Sequence, residues 1–188
     1  MNNNSFFLPE EISQIGFKSV GKNVLISRKA SFYSPFSISI GNNVRIDDFC
    51  ILSGEIEIGD FIHIGAFSAL FGKMGIEMKD FSGVSIRVTI LSASDDFSGK
   101  FLTNSPVIDS QFCGTKGGKV TFGKHANVGT GSVILPGVTL AEGSVIGAMS
   151  LVNCDTKPWA IYFGSPCREI NKRSKELLNL ENELRKGP

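Results

Sequence analysis

The sequence predicts an all-β solenoid, a prism whose walls are strands built from a short repeat. The first observation is a period of six in VGTGSVILPGVTLAEGSVIGAMS at residues 128–150, where Val128, Ile134, Leu140 and Ile146 occupy every sixth place. The second is that small or medium residues recur four places after each of them. A helix face repeats every 3.6 residues and a strand face every two, so a fixed longer period indicates a chain that turns a corner at each repeat.

Length and charge limit the number of domains and the kinds of partner that the chain can have. The 188 residues are enough for one domain with a continuous core. With 19 basic and 18 acidic residues, no overall field favours nucleic acid or an anionic membrane. Apolar stretches are interrupted every few residues, and MNNNSFFLPEE lacks the basic start and apolar core of a signal peptide. We therefore expect a cytoplasmic protein without membrane insertion.

The cysteines show no CxxC or Cys/His spacing, and Cys50 falls on a repeat position that should point inward. We expect Cys50, Cys113, Cys154 and Cys167 to be separate thiols rather than a disulfide framework or a metal site.

The leading apolar residue of the repeat can be followed along most of the chain, through eighteen hexads. It occurs at Val20, Ile26, Phe32, Ile40, Ile46, Leu52, Ile58, Ile64, Leu70, Met78, Val84, Ile90, Phe122, Val128, Ile134, Leu140, Ile146 and Val152. Four places after these residues the side chain is small or medium, as at Val24, Ala30, Val44, Cys50, Ile62, Ser68, Ser82, Val88, Ser94, Ala126 and Ser132. Such residues suit an inward bend, and Gly, Asn and Asp tolerate the positive φ of the other corner sites.

The interruptions set the cross-section of the prism. The spacing departs from six after three, nine and twelve hexads, at residues 32–40, 70–78 and 90–122. If three hexads make one coil, every insertion leaves the prism at the same edge. The sequence therefore predicts about six triangular coils, stacked about 4.8 Å apart as parallel strands. Their leaders form three interior columns, one of which is Ile26, Ile46, Ile64, Val84, Val128 and Ile146.

Short helices are predicted at both ends of a β-helix domain at residues 18–168. In residues 1–17, Pro9 suits a helix start, Glu10 and Glu11 the first turn, and Gly16 the stop. In residues 169–188, Ile170, Leu177, Leu178 and Leu184 form an apolar stripe at helical spacing. This second helix is expected to be a cap or an oligomer contact.

The hexads, together with GSVILPGVTLAEGSVIGAMSLV and PWAIYFGSPCREI, resemble the hexapeptide-repeat acyltransferases over roughly residues 18–175. The resemblance implies a left-handed parallel β-helix, an exception to the right-handed crossover rule, and a homotrimer with active sites between neighbouring subunits. The stretches GKNVLIS, IDDFCILSGEIEIGD and SDDFSG are most similar to bacterial dTDP-4-amino-4,6-dideoxyglucose N-acetyltransferases. That similarity implies acetylation of a nucleotide-linked amino sugar for surface polysaccharide or O-antigen.

Acetyl-CoA is the donor that the resemblance implies. In the similar galactoside and maltose O-acetyltransferases, donor contacts lie at positions that match Thr130, Ala148 and the region of Asn153. A basic residue follows the final Gly-x-Pro turn in those enzymes, and here it is Arg168, which we expect to contact a phosphate, with Lys172 as a second candidate. The alternative is that Thr130 and Ala148 are plain corner residues and that Arg168 is a solvated side chain.

Acyl transfer also needs a base that takes a proton from the acceptor, and histidine most often has this role. His63 precedes a leader and should point outward on a flat side, whereas His125 falls in a variable corner, so we favour His63 as the catalytic residue. The stacking register places Arg45 directly below it and Gly83 directly above. Asp47 lies one coil below, so its carboxylate can reach the imidazole, and the missing side chain at Gly83 leaves room for a ligand.

One motif departs from the O-acetyltransferases, whose His-Pro sequence is replaced here by ILSASDDF. An amine needs to lose only one proton near neutral pH, so the absent histidine favours N-acetylation. Asp95 and Asp96 are candidate ligands for an ammonium group or for sugar hydroxyls. The alternative is that they cap turns of the insertion at residues 96–121.

That insertion is too long for a corner, and it contains Phe97, Phe101 and Phe112. Long ordered loops on a scaffold usually carry function. We expect it to reach a neighbouring subunit and shape the acceptor pocket, or else to lock the trimer.

Three other functions compete with N-acetylation. The first is a sugar O-acetyltransferase of the galactoside or maltose type, and the second is a non-catalytic sugar-binding solenoid. The third, a hexapeptide-repeat carbonic anhydrase, needs three histidine ligands, and this chain has two histidines. No metal site is therefore predicted.

Overall fold

The computed structural model of the chain describes residues 5–186, so residues 1–4 and 187–188 of the two predicted terminal helices lie outside the described part. Helix α1 (Pro9–Ile15) precedes the strands, and helix α2 (Leu177–Lys186) follows them. The strands of the described part are β1 (Ser19–Val20), β2 (Leu25–Ile26), β3 (Ser31–Tyr33), β4 (Ile38–Ile40), β5 (Arg45–Ile46), β6 (Ile51–Ile58), β7 (His63–Ile64), β8 (Ala69–Met78), β9 (Gly83–Val84), β10 (Thr89–Leu91), β11 (Ala93–Asp95), β12 (Thr115–Gly117), β13 (Val120–Phe122), β14 (Asn127–Val128), β15 (Val133–Ile134), β16 (Thr139–Leu140), β17 (Val145–Ile146), β18 (Leu151–Val152), β19 (Ala160–Gly164) and β20 (Cys167–Lys172).

The strands stack as a left-handed parallel β-helix of six complete coils and one strand of a seventh. The predicted column is confirmed, because the parallel register joins Ile26, Ile46, Ile64, Val84, Val128 and Ile146 in that order. Tyr162 of β19 extends this column by one place. We call it the second column. The first column begins at Val20 and the third at Phe32, also in the predicted register.

The leaders fill the interior of the prism. All of them are buried except Val20 and Phe32, which belong to the first coil and have a neighbouring coil on one side. Each fully buried Ile or Leu contributes about 1.5–3 kcal/mol to the stability of the fold. At the corners, Cys50 is fully buried and burial raises the pKa of its thiol to about 11, so it is unreactive.

The three insertions leave the prism between the third and first columns. The first contains a 3₁₀ turn at Pro35–Ser37, and the second is absorbed within the long strand β8. The third is an antiparallel hairpin of β11 and β12, which pairs Ala93 with Gly117. The projection therefore covers residues 93–117 rather than 96–121. Ser94, predicted to be an inward corner residue, lies in this hairpin because the chain leaves the coil just before it.

The N-terminal segment closes the start of the stack. Helix α1 begins at Pro9 and ends where Gly16 takes a left-handed φ of 86°. Its Glu11 carboxylate accepts the Leu8 N–H at 2.7 Å, which satisfies a free donor at the helix start. Phe6 forms an antiparallel bridge with Ser27 beside β2, so this segment covers the outer edge of the second column.

The C-terminal end differs from the helix expected over residues 169–188. Strand β20 first pairs antiparallel with β19, and the helix begins at Leu177. Ile170 therefore lies on a strand and not on the apolar stripe. The physical reason is the open edge of β19, whose N–H and C=O groups need partners. At the last strand of the first column, Asp155 Oδ1 accepts the Thr139 N–H at 2.7 Å. Thr156 Oγ1 likewise accepts the Ala141 N–H at 2.8 Å.

A buried carboxylate anchors α2 to the prism. Glu181 lies 2.6 Å from Lys124 Nζ, 2.7 Å from His125 Nε2 and 2.7 Å from Arg185 Nε. Burial alone would raise the pKa of Glu181, but the hydrogen bonds from these three residues outweigh it and lower the pKa to about 2. His125, in its predicted corner position, is thus a buried structural residue. Within residues 5–186, no helix is long and apolar enough to span a membrane.

Candidate functional site

The outer face of the second column carries an ordered carboxylate–imidazole pair. His63 Nε2 lies 2.7 Å from Asp47 Oδ2, and Arg45 Nε donates to Asp47 Oδ1 at 2.7 Å. The side chain of His63 is 57% exposed and that of Asp47 is 18% exposed, so the ring meets solvent while the carboxylate is half-buried. Arg45, His63 and Gly83 share one row of the sheet, as predicted.

The charge on Asp47 keeps one nitrogen of the His63 imidazole available to accept a proton. Partial burial would raise the pKa of Asp47, but the hydrogen bonds from Arg45 and His63 outweigh burial and hold the pKa below its usual value. An ionised Asp47 accepts a hydrogen bond from Nε2–H, so a neutral His63 carries its lone pair on Nδ1. A carboxylate also orients the histidine base of hydrolytic triads, but there it holds Nδ1 and the base is Nε2.

A cavity of about 330 Å³ opens beside His63. It is lined by Phe61, His63, Phe81, Ser82, Gly83, Val84, Ser85, Asn127, Val128, Gly129, Val145 and Ile146. A Cβ atom on Gly83 would lie 3.1 Å from the His63 carbonyl oxygen and 3.2 Å from Asn127 Oδ1, closer than ordinary van der Waals contact. The lack of a side chain at Gly83 therefore keeps space open between His63 and Asn127.

Asn127 is a polar residue of this cavity that our sequence reasoning missed. Its amide nitrogen donates to the carbonyl oxygens of His125 at 3.0 Å and Phe81 at 3.4 Å. These bonds leave Oδ1 beside Gly83 as a hydrogen-bond acceptor. Ser85, also missed, is exposed two residues after Gly83. The register contained a signal for Asn127, because it stands directly above Gly83 in the row of His63.

Two of the residues expected to hold the donor, Thr130 and Ala148, lie at the edge between the second and third columns. Thr130 and Ala148 are exposed on consecutive coils, and the Met149 N–H donates to the Thr130 carbonyl at 2.8 Å. A Cβ on Gly129 would lie 2.6 Å from the Ala148 nitrogen, so glycine is needed for this close approach. The chain thus presents closely stacked backbone along this edge, where the amide groups of a pantetheine arm can bind.

Arg168 lies at the end of the same edge. It pairs with Phe163 across the β19–β20 hairpin, and its Nη1 donates to the Cys167 carbonyl at 2.7 Å. The side chain is exposed, as a phosphate contact requires. Phe163 packs on the next coil, since a Cβ on Gly147 would lie 2.5 Å from its ring. Thr130, Ala148 and Arg168 therefore follow one another along one edge.

The structure does not bring the other two donor candidates to this edge. Asn153 follows β18, where the chain turns from the third column towards the opposite edge. Lys172 pairs with Ala160 at the far end of the hairpin from Arg168. Its ammonium group lies 2.7 Å from Glu169 Oε1, so its charge is already paired.

Asp95 and Asp96 organise the hairpin that leaves the third column, whereas His63 stands on the second. Asp95 Oδ2 accepts the Asn104 N–H at 2.7 Å, and Asp96 Oδ1 accepts the Ser98 N–H at 2.8 Å. A side-chain hydrogen bond from Ser105 and the Asn104 amide lower the pKa of Asp95. Both carboxylates therefore cap turns of the hairpin in the isolated chain.

The described residues hold no group of three or more His, Cys, Asp or Glu side chains that could bind a metal ion. The polar side chains that line the cavity are the imidazole of His63, the amide of Asn127 and the hydroxyls of Ser82 and Ser85.

Comparison with known proteins places the chain among acyltransferases. No family model matches the chain. It is 46% identical over 175 residues to a dTDP-4-amino-4,6-dideoxy-D-glucose acyltransferase of Escherichia coli, covering 92% of this chain and 91% of that protein.

Two solved structures of AntD, an N-acyltransferase from Bacillus cereus, are also similar. A variant in complex with dTDP-4-amino-4,6-dideoxyglucose and coenzyme A is 50% identical, with a TM-score of 0.96 and coverage of 100% of both chains. A complex with dTDP and 3-hydroxybutyryl-CoA is 52% identical, with a TM-score of 0.94 and coverage of 97% of both chains. On this similarity over nearly the whole length, the chain is an acyltransferase and belongs to the dTDP-4-amino-4,6-dideoxyglucose acyltransferase family.

Proposed function

We propose that this protein transfers an acetyl group from acetyl-CoA to the amino group of a nucleotide-linked amino-dideoxy sugar, of the dTDP-4-amino-4,6-dideoxyglucose type. The observation that carries the proposal is the cavity between His63 and Asn127, which opens where Gly83 has no side chain. The backbone edge at Thr130 and Ala148 begins one coil further along. A base and a thioester groove thus lie next to each other, as acyl transfer requires.

The residues of the cavity fit the two proton requirements of the reaction. The acceptor arrives as an ammonium ion, and its nitrogen attacks the thioester carbon only after losing a proton. His63 accepts that proton, held in orientation by Asp47 at 2.7 Å. Asn127 Oδ1 accepts a hydrogen bond from the acceptor amine and directs its lone pair. A C–N bond forms, the C–S bond breaks, and the CoA thiolate takes up a proton.

Arg168 supplies the donor contact at the end of the groove. An exposed guanidinium with a fixed planar fork binds a phosphate in two-point geometry. Because this contact is remote from the thioester, it contributes equally to the binding of donor and transition state. Thr130 and Ala148 contribute backbone and shape rather than charge.

We infer that the protein is a homotrimer. Four of the six residues in the outward row of the third column are apolar and only half-buried in the isolated chain, and Ser31 and Thr89 are the two polar ones. The apolar residues are Ile51, Ala69, Val133 and Leu151. The hairpin at residues 93–117 exposes 79% of Phe97, 46% of Phe101 and 55% of Phe112. Contact between these surfaces of neighbouring subunits would cover both, and would bring Asp95 and Asp96 towards the acceptor on a neighbour.

Location and biological role belong to the same proposal. Acyl-CoA and nucleotide sugars are cytoplasmic metabolites, so we place the enzyme in the cytoplasm. Its acetylated product then serves as a precursor for surface polysaccharide or O-antigen, as the similar bacterial enzymes suggest.

The test is a product assay with purified protein, acetyl-CoA and dTDP-4-amino-4,6-dideoxyglucose. We expect stoichiometric release of CoA and a nucleotide sugar heavier by one acetyl group, identified by mass spectrometry. The matched control is the analogue with a hydroxyl in place of the amine. Preference for that analogue, or for maltose or a galactoside, would favour O-acetylation. Absence of CoA release together with no thermal shift by acetyl-CoA would favour a sugar-binding solenoid.

A further inference from the structure

Arg173 is a half-buried cation to which the mechanism above gives no role. It directly follows strand β20, and its Nη1 donates to the carbonyl oxygens of His125 at 2.7 Å and Gly143 at 3.1 Å. Among residues 5–186, no carboxylate lies within ion-pair distance of Arg173. Burial accordingly lowers its pKa. A cation partly withdrawn from water without a counter-ion costs free energy, which the two carbonyl contacts must offset.

The carbonyl groups that Arg173 binds belong to the edge between the first and second columns. Each coil turns at this edge on a residue in the left-handed region, and on the fourth to seventh coils φ is 60° at Phe81, 61° at His125, 68° at Gly143 and 55° at Trp159. Asn127 Nδ2 donates to the first two of these carbonyl oxygens. Arg173 donates to the last three, with its Nη1 and its backbone N–H. Asn127 and Arg173 together therefore bind a run of four successive corner carbonyls.

The His125 carbonyl is the one that these two residues share. Asn127 Nδ2 lies 3.0 Å from it and Arg173 Nη1 lies 2.7 Å from it, so both lone pairs of this oxygen are used. Because the amide nitrogen of Asn127 is directed at the corner, its Oδ1 lies on the other side, where a Cβ on Gly83 would be 3.2 Å away. The direction of the Asn127 amide thus depends on where the His125 carbonyl stands.

The segment after β19 fixes His125 at two points. The imidazole Nε2 lies 2.7 Å from the Glu181 carboxylate of α2, and the carbonyl is held by Arg173. The Arg173 N–H donates in turn to the Trp159 carbonyl at 2.9 Å, which fixes the backbone from which the guanidinium extends. The C-terminal segment therefore reaches the acceptor cavity through the His125 peptide, although Arg173 is not one of the residues that line it.

We propose that Arg173 is a positioning residue that sets the direction of the Asn127 amide and, through it, of the acceptor amine. It holds the His125 carbonyl where the Asn127 amide nitrogen donates to it, so Oδ1 stays directed into the cavity beside Gly83. The inference rests on the proposed function, because it requires Asn127 Oδ1 to bind the acceptor amine.

The first experiment is a double-mutant cycle of Arg173→Met and Asn127→Ala, with kcat measured at saturating amino sugar and acetyl-CoA. Arg173→Met removes the donors but keeps an apolar stem, so it should lower kcat about tenfold and leave the KM for acetyl-CoA unchanged. In the Asn127→Ala background the same change should lower kcat by less than about twofold, because its route to the acceptor is already gone. Arg173→Lys keeps a charged donor and should retain most of kcat.

Lys175→Met is the matched control for loss of a cation from this segment. Lys175 is exposed and lies over the Trp159 ring, with Nζ 5.5 Å from the ring centroid. Its removal should leave kcat and both KM values close to those of the wild type.

The second experiment observes Asn127 without using activity. In protein labelled with isotopic nitrogen at asparagine, the side-chain amide signal of Asn127 is identified by its loss from the NMR spectrum of Asn127→Ala. This signal should shift in Arg173→Met, because the shared carbonyl moves, and should keep its position in Lys175→Met.

Two results would overturn the assignment. One is a loss of kcat from Arg173→Met that is equally large in both backgrounds, as a merely structural role would give. The other is an Asn127 amide signal that Arg173→Met leaves in place. If Arg173→Met does not fold, Arg173→Gln is taken through both experiments and judged by the same results. Failure of the proposed function has a different signature, since the wild type would transfer no acetyl group while the Asn127 signal still shifts.

Discussion

His63 Nε2 lies 2.7 Å from Asp47 Oδ2, and the two residues come from adjacent coils of the same face. Arg45 holds the other carboxylate oxygen at 2.7 Å, so the carboxylate cannot turn away from the ring. This pairing makes a histidine that is largely exposed also well oriented, which is the combination that a general base requires.

His63→Asn should lower kcat and kcat/KM together by about 10² to 10⁴-fold, because it removes the proton acceptor without removing a binding contact. Asp47→Asn should cause a smaller loss, since that carboxylate orients the ring. Steady-state kinetics with the amino sugar measure both, and an unchanged Tm shows that folding is intact. Near-normal turnover by His63→Asn would place the base at Asp95, at Asp96 or in the substrate.

Arg168→Ala should raise the KM for acetyl-CoA about tenfold and leave kcat at saturating donor nearly unchanged. A remote phosphate contact stabilises the bound donor and the transition state equally. Initial rates over a range of acetyl-CoA concentrations give both KM and kcat for each variant. Lys172→Ala is the matched control, because Lys172 pairs with Glu169 away from the groove. A reduced kcat with normal donor KM would contradict the assignment of Arg168.

Gly83→Ala should lower kcat/KM for the amino sugar by about tenfold while CoA binding stays the same. The added methyl group would lie 3.1 Å from the His63 carbonyl oxygen and 3.2 Å from Asn127 Oδ1, in the space assigned to the acceptor. Kinetics with each substrate varied in turn separate the two effects. The acceptor site must lie elsewhere if the variant is fully active with unchanged KM.

Glu181→Gln should lower Tm at neutral pH by about 5 °C, because it leaves His125, Lys124 and Arg185 without their buried anion. The folded-state pKa of Glu181 is about 2, below the ordinary 4.5. Its contribution is therefore fully present above about pH 4.5 and is lost as the pH falls towards 2.

Thermal unfolding of the wild type and of Glu181→Gln at several pH values tests this direction of the pH dependence. The gap in Tm should narrow between pH 4.5 and pH 2. Glu183→Gln on the exposed side of the same helix is the control, and it should behave like the wild type. His125→Ala should also cost stability through the same cluster, with turnover at saturating substrates preserved in the folded protein. A constant gap at all pH values would disprove the role of Glu181.

Light scattering should give a mass of three chains, each of 20.3 kDa. The apolar residues in the outward row of the third column should form the contact, so Val133→Lys should dissociate the proposed trimer and abolish activity, because the proposal places active sites between subunits. Lys100→Glu, an exposed change at the hairpin tip, controls for charge alone. A single-chain mass for the wild-type protein, or an active monomer, would refute the assembly.

The repeat allowed the face of the site to be predicted before the structure was known. A period of six fixes which residues stack, so the row of Arg45, His63 and Gly83 follows from arithmetic alone. Positions outside the period were not accessible in this way. Glu181 meets His125 from 56 residues away, through the docking of a helix that no local pattern specifies.

The pairings of the hairpin and of the C-terminal strand are likewise not predicted by the repeat. Ala93 pairs with Gly117 because the two ends of the insertion meet, and the hexad count has no register for that pairing. Strand β20 forms because β19 has an open edge, which is a property of the finished stack. Sequence reasoning therefore placed the repeats and missed the contacts made where the repeats stop.

The antiparallel segments at the two ends of the second column have a consequence for assembly. A pile of parallel coils has a row of free peptide groups at each end, and another molecule could add there to start a fibril. Phe6 pairs antiparallel on β2, and β20 pairs antiparallel on β19, so neither end offers the hydrogen-bond spacing that a parallel coil needs. Asp155 and Thr156 occupy the last donors of the first column with side chains. A repeat whose coils could stack without limit therefore forms a molecule of fixed length.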